Sequence, residues 1–224
     1  MRREGSLLAM GQGDGPLTLG NARPLFRGTH RLCFRHPDDS GLLVKVLRPD
    51  ARPEVLRAGQ KRAWRRWLPA AYFDEQRRDL AAYAALARQG EGVWEHVPRF
   101  RGALRTDLGP ALVCDLIENA DGTSARTLMQ LAPYDEAPAV LAAQDAIFDF
   151  VRRHRLPLRD FGPYNVVVQT RADGLLHPWL VDGFGDRSFL PLARLSDRVA
   201  RERTERQIER FGEKLRRRLA RRVG

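Results

Sequence analysis

The chain has 224 residues, 43% hydrophobic and 30% charged, with 19 Gly and 14 Pro spread along it. That length buries about 70% of the unfolded surface, enough for a core without staples, and the mixture excludes collagenous, disordered and coiled-coil chains. Its 39 basic and 28 acidic residues leave a net charge of +11, which points toward polyanionic partners such as nucleotide, nucleic acid or an anionic surface.

No stretch approaches the roughly 18 uninterrupted apolar residues of a membrane span, and the opening MRREGSLLAMGQGDGPL lacks an apolar run of signal-peptide length. A cytoplasmic protein is expected. Cys33 and Cys114 lie far apart in apolar, strand-like runs, so they read as structural thiols of a reducing compartment. The charge is uneven: 12 Lys or Arg against 5 Asp or Glu fall between Arg194 and Gly224. Lys45, Lys61 and Lys214 are the three lysines, so a lysine inside an apolar strand stands out.

Residues 1–22 are Gly-rich and aperiodic, a loose N-terminal arm. Short strands follow in LFRGTHRLCF and LLVKVL, joined at HPDDSG as a hairpin. Residues 53–89 have helical texture, starting at Pro53, divided at Pro69 and closed by Gly90. Strand texture returns in RFRGALRT and ALVCDLI around Asp107-Leu108-Gly109. After a polar segment, 136–154 reads as an amphipathic helix, and LPLRDFGPYN leads into a β-branched strand at Val166-Val167-Val168. A turn at Ala172-Asp173-Gly174 and a strand ending in Leu180-Val181-Asp182 come next. Pro191 opens a last long helix with Ile208, Phe211, Leu215 and Leu219 at helical spacing. The predicted fold is α+β and two-lobed: an antiparallel sheet with helices over 23–118, then a reduced helical lobe over 119–224 holding the loop and the basic helix.

The strongest chemical signal is Arg159-Asp160-Phe161-Gly162-Pro163-Tyr164-Asn165. A carboxylate and an amide on one tight loop suit phosphoryl transfer, the carboxylate meeting an acceptor hydroxyl and the amide oxygen holding a metal. The spacing resembles the kinase catalytic loop, Asp-x-x-x-x-Asn. Seventeen residues past Asn165, Asp182 ends an apolar strand where kinases carry their metal-binding aspartate. Lys45 follows a hairpin as does the kinase lysine that contacts nucleotide phosphates, and Asp79 stands where the helix glutamate pairs with it. Glu75, one turn earlier on the same face, is the alternative partner.

PLFRGTHRLCFRHPDD, VPRFRGALRTDLG, ENADGTSARTL and VDGFGDRSFLPLA together resemble the bacterial PhoP regulatory network protein YrbL family, over about Pro24 to Phe211. That resemblance implies a cytoplasmic, kinase-like protein tied by name to a regulatory network.

The chain also departs from kinases. Of the Gly-rich loop only Gly28 remains, so Arg27, His30 or Arg31 would supply charge to phosphate. Leu158 replaces the loop histidine, the order Asp-Phe-Gly becomes Asp182-Gly183-Phe184, and no Ala-Pro-Glu segment follows Asp186. By chain order, Asp115, Leu116 and Ile117 would form the hinge whose backbone meets adenine, and Leu25, Cys33, Leu43 and Val167 the apolar slot.

Each feature has a plainer reading. Asp160 and Asn165 could be a turn pair, Asp182 a strand end, Lys45 an edge residue, and Asp79 or Glu75 a solvated face. Trp64 and Trp67 among arginines allow nucleic-acid stacking, but a helix covering the smaller lobe serves as well and nucleic acid is the less favoured reading. The basic C-terminal helix is a solvated face around a packed stripe, or else a site for an anionic membrane, nucleic acid or an acidic partner protein. The leading expectation is a Mg-ATP-binding phosphotransferase acting on a small molecule or on itself. In it Lys45 holds phosphates, Asp160 serves the acceptor, and Asn165 and Asp182 hold magnesium. Its rival is a weakly active or inactive regulatory protein that binds nucleotide or a partner.

Overall fold

The computed structural model describes residues 16–132, 137–156, 158–185 and 197–220. Pro191, where the last helix was expected to open, lies outside them, as do Asp186 and the first 15 residues of the expected arm. The chain divides into two units.

The first unit holds the described residues up to Leu80 together with Arg99–Leu116. Strands β1 (Phe26–Arg27), β2 (Arg31–Arg35), β3 (Leu42–Leu47), β4 (Phe100–Thr106) and β5 (Gly109–Asp115) form an antiparallel sheet in the order β1-β2-β3-β5-β4. The hairpin expected at HPDDSG is the β2–β3 turn, closed by Asp39, whose carboxylate accepts from the Gly41 N–H at 2.9 Å. On the central strand β3 both faces are covered, so Leu43, Val44, Lys45 and Val46 are all buried. Val44 and Val46 join Phe34, Ala111, Val113 and Leu19 in one core, and each large apolar side chain buried there contributes about 1.5–3 kcal/mol.

Leu19 belongs to the stretch read as a loose arm. Its placement comes from Asp107 at the β4–β5 turn, whose carboxylate accepts from the Leu19 and Gly20 N–H groups, each at 2.7 Å. The segment after β3 is less helical than its texture implied. It contains α1 (Pro53–Ala58), two single 3-10 turns at Ala63–Trp67 and Ala70–Phe73, and then α2 (Glu75–Ala87), whose residues up to Leu80 belong to this unit. Pro69 caps the second turn in an extended conformation. Trp64 and Trp67 are 60% and 89% exposed, so they do not form the buried face of a covering helix.

The second unit holds Ala81–Pro98 and the described residues from Ile117 onward. Its sheet runs β6 (Arg126–Thr127), β7 (Val166–Thr170), β8 (Leu176–Leu180), all antiparallel. Helix α3 (Leu128–Leu131) starts from a capping box in which Thr127 and Gln130 satisfy each other's backbone N–H. The polar texture before it gave no sign of β6 or α3. Helices α4 (Ala137–His154) and α5 (Asp197–Ala220) pack through Phe148 and Phe211, ring centroids 5.1 Å apart, with Phe161 against both. No helix among the described residues is long and apolar enough to cross a membrane.

The expected α+β class with antiparallel sheets is what the structure has.

Candidate functional site

In the second unit, residues 158–165 lie against 182–184. Leu158 and Phe184 form an antiparallel bridge, the Arg159 and Asp160 N–H groups both donate to the Gly183 carbonyl at 2.7 and 3.0 Å, and Val181 N–H donates to the Asn165 carbonyl at 3.0 Å. The approach requires glycine at 183. Its φ is +87°, and a Cβ there would collide with the Asp160 carbonyl oxygen and lie 2.9 Å from Asn165 Nδ2. Leu158 and Phe161 are buried, Phe184 packs edge-on against Tyr83 with centroids 4.9 Å apart, and these anchors hold the polar residues between them.

Asp160, Asn165 and Asp182 are therefore brought together. Asn165 Nδ2 donates to the Asp160 carbonyl at 2.8 Å, which turns the amide oxygen away from that contact. Asp182 Oδ1 accepts from the Gly183 N–H at 2.6 Å and lies 3.7 Å from Arg159 Nη2, while its side chain remains 45% exposed. An amide oxygen and a partly exposed carboxylate are hard donors, and magnesium takes one or two such protein ligands completed by phosphate and water. The pair fits that ion. No group of three His, Cys, Asp or Glu among the described residues would hold a metal on its own.

Helix α5 flanks the same loop. Gln207 Nε2 donates to the Leu158 carbonyl at 3.0 Å, the Phe211 ring is 4.7 Å from that of Phe161, and Lys214 Nζ stands 5.0 Å from the centroid of the Tyr164 ring. Tyr164 in turn donates its hydroxyl to Asp160 Oδ1 at 2.6 Å. Gly162 makes room for it, because a Cβ there would come within 2.6 Å of the tyrosine ring.

In the first unit, Lys45 is 9% exposed and lies in register with Cys33 on β2 and Leu112 on β5. It is not the solvent-facing edge residue that alternation also allowed. Arg31 pairs with Leu47, two residues from Lys45, so the two cations share one face of the sheet diagonally. Helix α2 brings carboxylates to Arg31 and to His30. Arg31 Nη2 donates to Asp79 Oδ2 at 2.7 Å with both side chains buried, and His30 Nδ1 is 2.9 Å from Glu75 Oε1 one turn earlier. Asp79 is thus engaged by Arg31, and Arg31 is buried rather than presented to a phosphate. Gly28 donates its N–H to the Arg31 carbonyl at 2.9 Å, closing the tight β1–β2 turn.

The expected hinge is partly committed within its own unit. Asp115 N–H donates to the Arg99 carbonyl at 3.0 Å and Leu116 N–H to the Gly41 carbonyl at 2.8 Å, while the Asp115 carboxylate takes Arg101 at 2.6 Å. Neither N–H is available to a purine edge. Val167, the residue expected in the apolar slot, is half-buried on β7 between the deeply buried Val166 and Val168. Leu25 is 38% exposed, Cys33 half-buried and Leu43 buried.

A family model described as PhoP regulatory network protein YrbL matches residues 17–216. The chain belongs to that family. YrbL of Escherichia coli (strain K12) is 28% identical over 201 residues, 87% of this chain and 86% of the relative, and YrbL of Shigella flexneri matches to the same extent. Among solved structures, the Mycobacterium tuberculosis PknI kinase domain is similar with a TM-score of 0.44 and 20% identity over 72% of this chain. This chain covers 57% of that one, and a mutant form of the same domain matches equally.

Two residues beside the second unit's loop in this YrbL-family chain escaped the motif reading: Tyr164 stood inside the quoted loop as a spacer, and Lys214 as one of three lysines. The one legible signal was Gly162 two residues before an aromatic residue, a spacing that lets a side chain fold back over its own loop.

Proposed function

We propose that this YrbL-family protein is a Mg-ATP-dependent phosphotransferase of a small molecule or of itself, acting in the regulatory signalling its family description names. The observation that carries the reading is the interlock of residues 158–165 with 182–184, which gathers Asp160, Asn165 and Asp182 through main-chain hydrogen bonds. Loops pinned by backbone keep a polar group within the few tenths of an ångström that positioning catalysis needs.

In this reading Lys45 holds the nucleotide's phosphates, with Gly28 in the turn that approaches them. Asn165 and Asp182 hold magnesium, which when bound supplies charge neutralisation at the phosphates. Asp160 orients the acceptor hydroxyl and receives its proton. The Asp79 carboxylate offsets cations on the sheet face that carries Lys45 and Arg31. Ile117 and Val167 contribute backbone and an apolar wall to the base.

Calorimetric titration of ATP with and without magnesium tests this. Magnesium-dependent binding that is lost in Lys45→Ala and in Asp182→Ala is the expected result, and absence of binding by the wild type overturns the reading. A second reading, a nucleotide- or partner-binding regulator with little catalysis, draws on one observation: the Tyr164 hydroxyl already occupies Asp160. ATP binding without any turnover would select it.

A further inference from the structure

Helix α5 carries its charges unequally along its length. In the first half, Arg198 and Arg206 meet Glu202, and Glu205 takes Arg152 of α4 in a two-point contact at 2.9 Å. In the second half Arg210, Lys214 and Arg218 fall at a spacing of four on one face, and none of them has a carboxylate partner among the described residues. Three like charges on successive turns repel one another, and the neighbouring Glu213 is directed to Arg217 instead, at 3.7 Å. The placement of Lys214 and Arg218 ties this row to the loop of Asp160. Lys214 covers the Tyr164 ring, and Arg218 Nε donates to the Met129 carbonyl at 3.4 Å, the residue whose N–H donates to the Pro163 carbonyl at 3.2 Å.

Tyr164 joins the two features. It presents a hydroxyl to Asp160 and a ring face to an ammonium, and it is 39% exposed, so an incoming molecule can displace it. A ligand that replaces the tyrosine on Asp160 needs an O–H to donate, and one that replaces the ring beneath Lys214 is favoured by negative charge, which an ammonium binds more strongly than a π face. The row of three cations matches a dianionic group better than a single carboxylate.

We propose that the residues Asp160, Tyr164 and Lys214, with Arg210 and Arg218 beside them, form a binding site for an alcohol that bears a phosphate monoester. Tyr164 holds the place of its hydroxyl in the unliganded protein. That this alcohol is the phosphoryl acceptor rests on the function proposed above.

The test titrates the full chain, without nucleotide, with glycerol phosphate, glucose phosphate and inositol phosphate, each against its parent alcohol. At least one ester should bind more tightly than its parent. That preference should fall about tenfold in Lys214→Glu and in Lys214→Met, which keeps the apolar stem. Tyr164→Phe, which removes the competing hydroxyl, should tighten ester binding. The proposal is overturned if no ester outbinds its parent alcohol, or if both Lys214 variants, folded by circular dichroism, bind as the wild type does. Mg-ATP binding without ester binding removes this proposal alone. Ester binding without Mg-ATP binding removes the acceptor role together with the phosphotransferase reading.

Discussion

Gly183 and Asp160 meet with no room for another atom: the Asp160 N–H donates to the Gly183 carbonyl at 3.0 Å, and a Cβ on Gly183 would run into the Asp160 carbonyl oxygen. Two loops distant in sequence are thereby locked with their acidic residues adjacent, and the lock depends on a hydrogen atom standing where every other residue has carbon.

Gly183→Ala should therefore be costly. A positive φ and a backbone collision together remove about 2–3 kcal/mol, or roughly 5–10 °C of melting temperature in a chain of this size. Gly28→Ala is the comparison, since its Cβ would meet only the Arg31 carbonyl at an ordinary 3.7 Å. Thermal denaturation of the two variants should separate them clearly, and equal melting temperatures would contradict the lock.

The Arg31–Asp79 pair should behave as a buried ion pair. Both side chains are more than nine-tenths covered, so Asp79→Ala leaves an uncompensated guanidinium on the face that also carries Lys45 and should cost about 3–5 kcal/mol. Replacing both partners by apolar residues, Arg31→Met with Asp79→Leu, should recover most of the loss. Urea denaturation of the single and double variants measures the coupling, and additive losses would show that the two groups do not interact.

Acid should weaken the second unit through two histidines. His96 and His177 stack with ring centroids 4.5 Å apart, His96 Nδ1 lies 2.7 Å from the Pro178 carbonyl, and His177 Nε2 lies 2.8 Å from the Glu95 carbonyl. Burial holds both below the ordinary histidine range. The unfolded chain then binds protons first as pH falls, so the stability due to their neutral forms is complete above about 6.5 and declines below it. Melting curves between about pH 8 and pH 5 should show this decline, and it should shrink in His177→Phe. Asp107 and Glu205, held below the usual carboxylate range by the Leu19 N–H and by Arg152, lose their contributions only in more acid solution.

Asp160→Asn should separate binding from turnover. Under the proposed function it leaves Mg-ATP binding intact and slows turnover about 10²–10⁴-fold, because an amide cannot accept the acceptor's proton. Unchanged turnover, followed by release of ADP, would exclude Asp160 as the base.

How much could be read before folding depended on the range of the interactions involved. Asp160, Asn165 and Asp182 were legible as one candidate group because residue type at short spacing next to apolar strands singles them out, and the structure brings them together. The hairpin at HPDDSG and the turns at 107–109 and 172–174 were legible for the same reason, since turn chemistry is local. The reading of 53–89 as largely helical failed because propensity alone cannot maintain helix through Gly59 and Pro69 without a buried face, and Trp64 and Trp67 have none. Leu19 was misread because its N–H finds a carboxylate 88 residues away.

The sequence by itself determined the α+β class, the strand that carries Lys45, the loop that carries Asp160 and the sign of the protein's charge, all of which are properties of composition and of periods of two to four residues. Tertiary structure alone decided that Asp79 meets Arg31, that Asp160 is held by Gly183 and covered by Tyr164, and that the basic helix faces this loop through Gln207, Phe211 and Lys214. Those pairings join residues dozens of positions apart, or turn on a side chain folding back over a missing Cβ, and only packing selects among the many partners that charge and hydrogen bonding would otherwise allow.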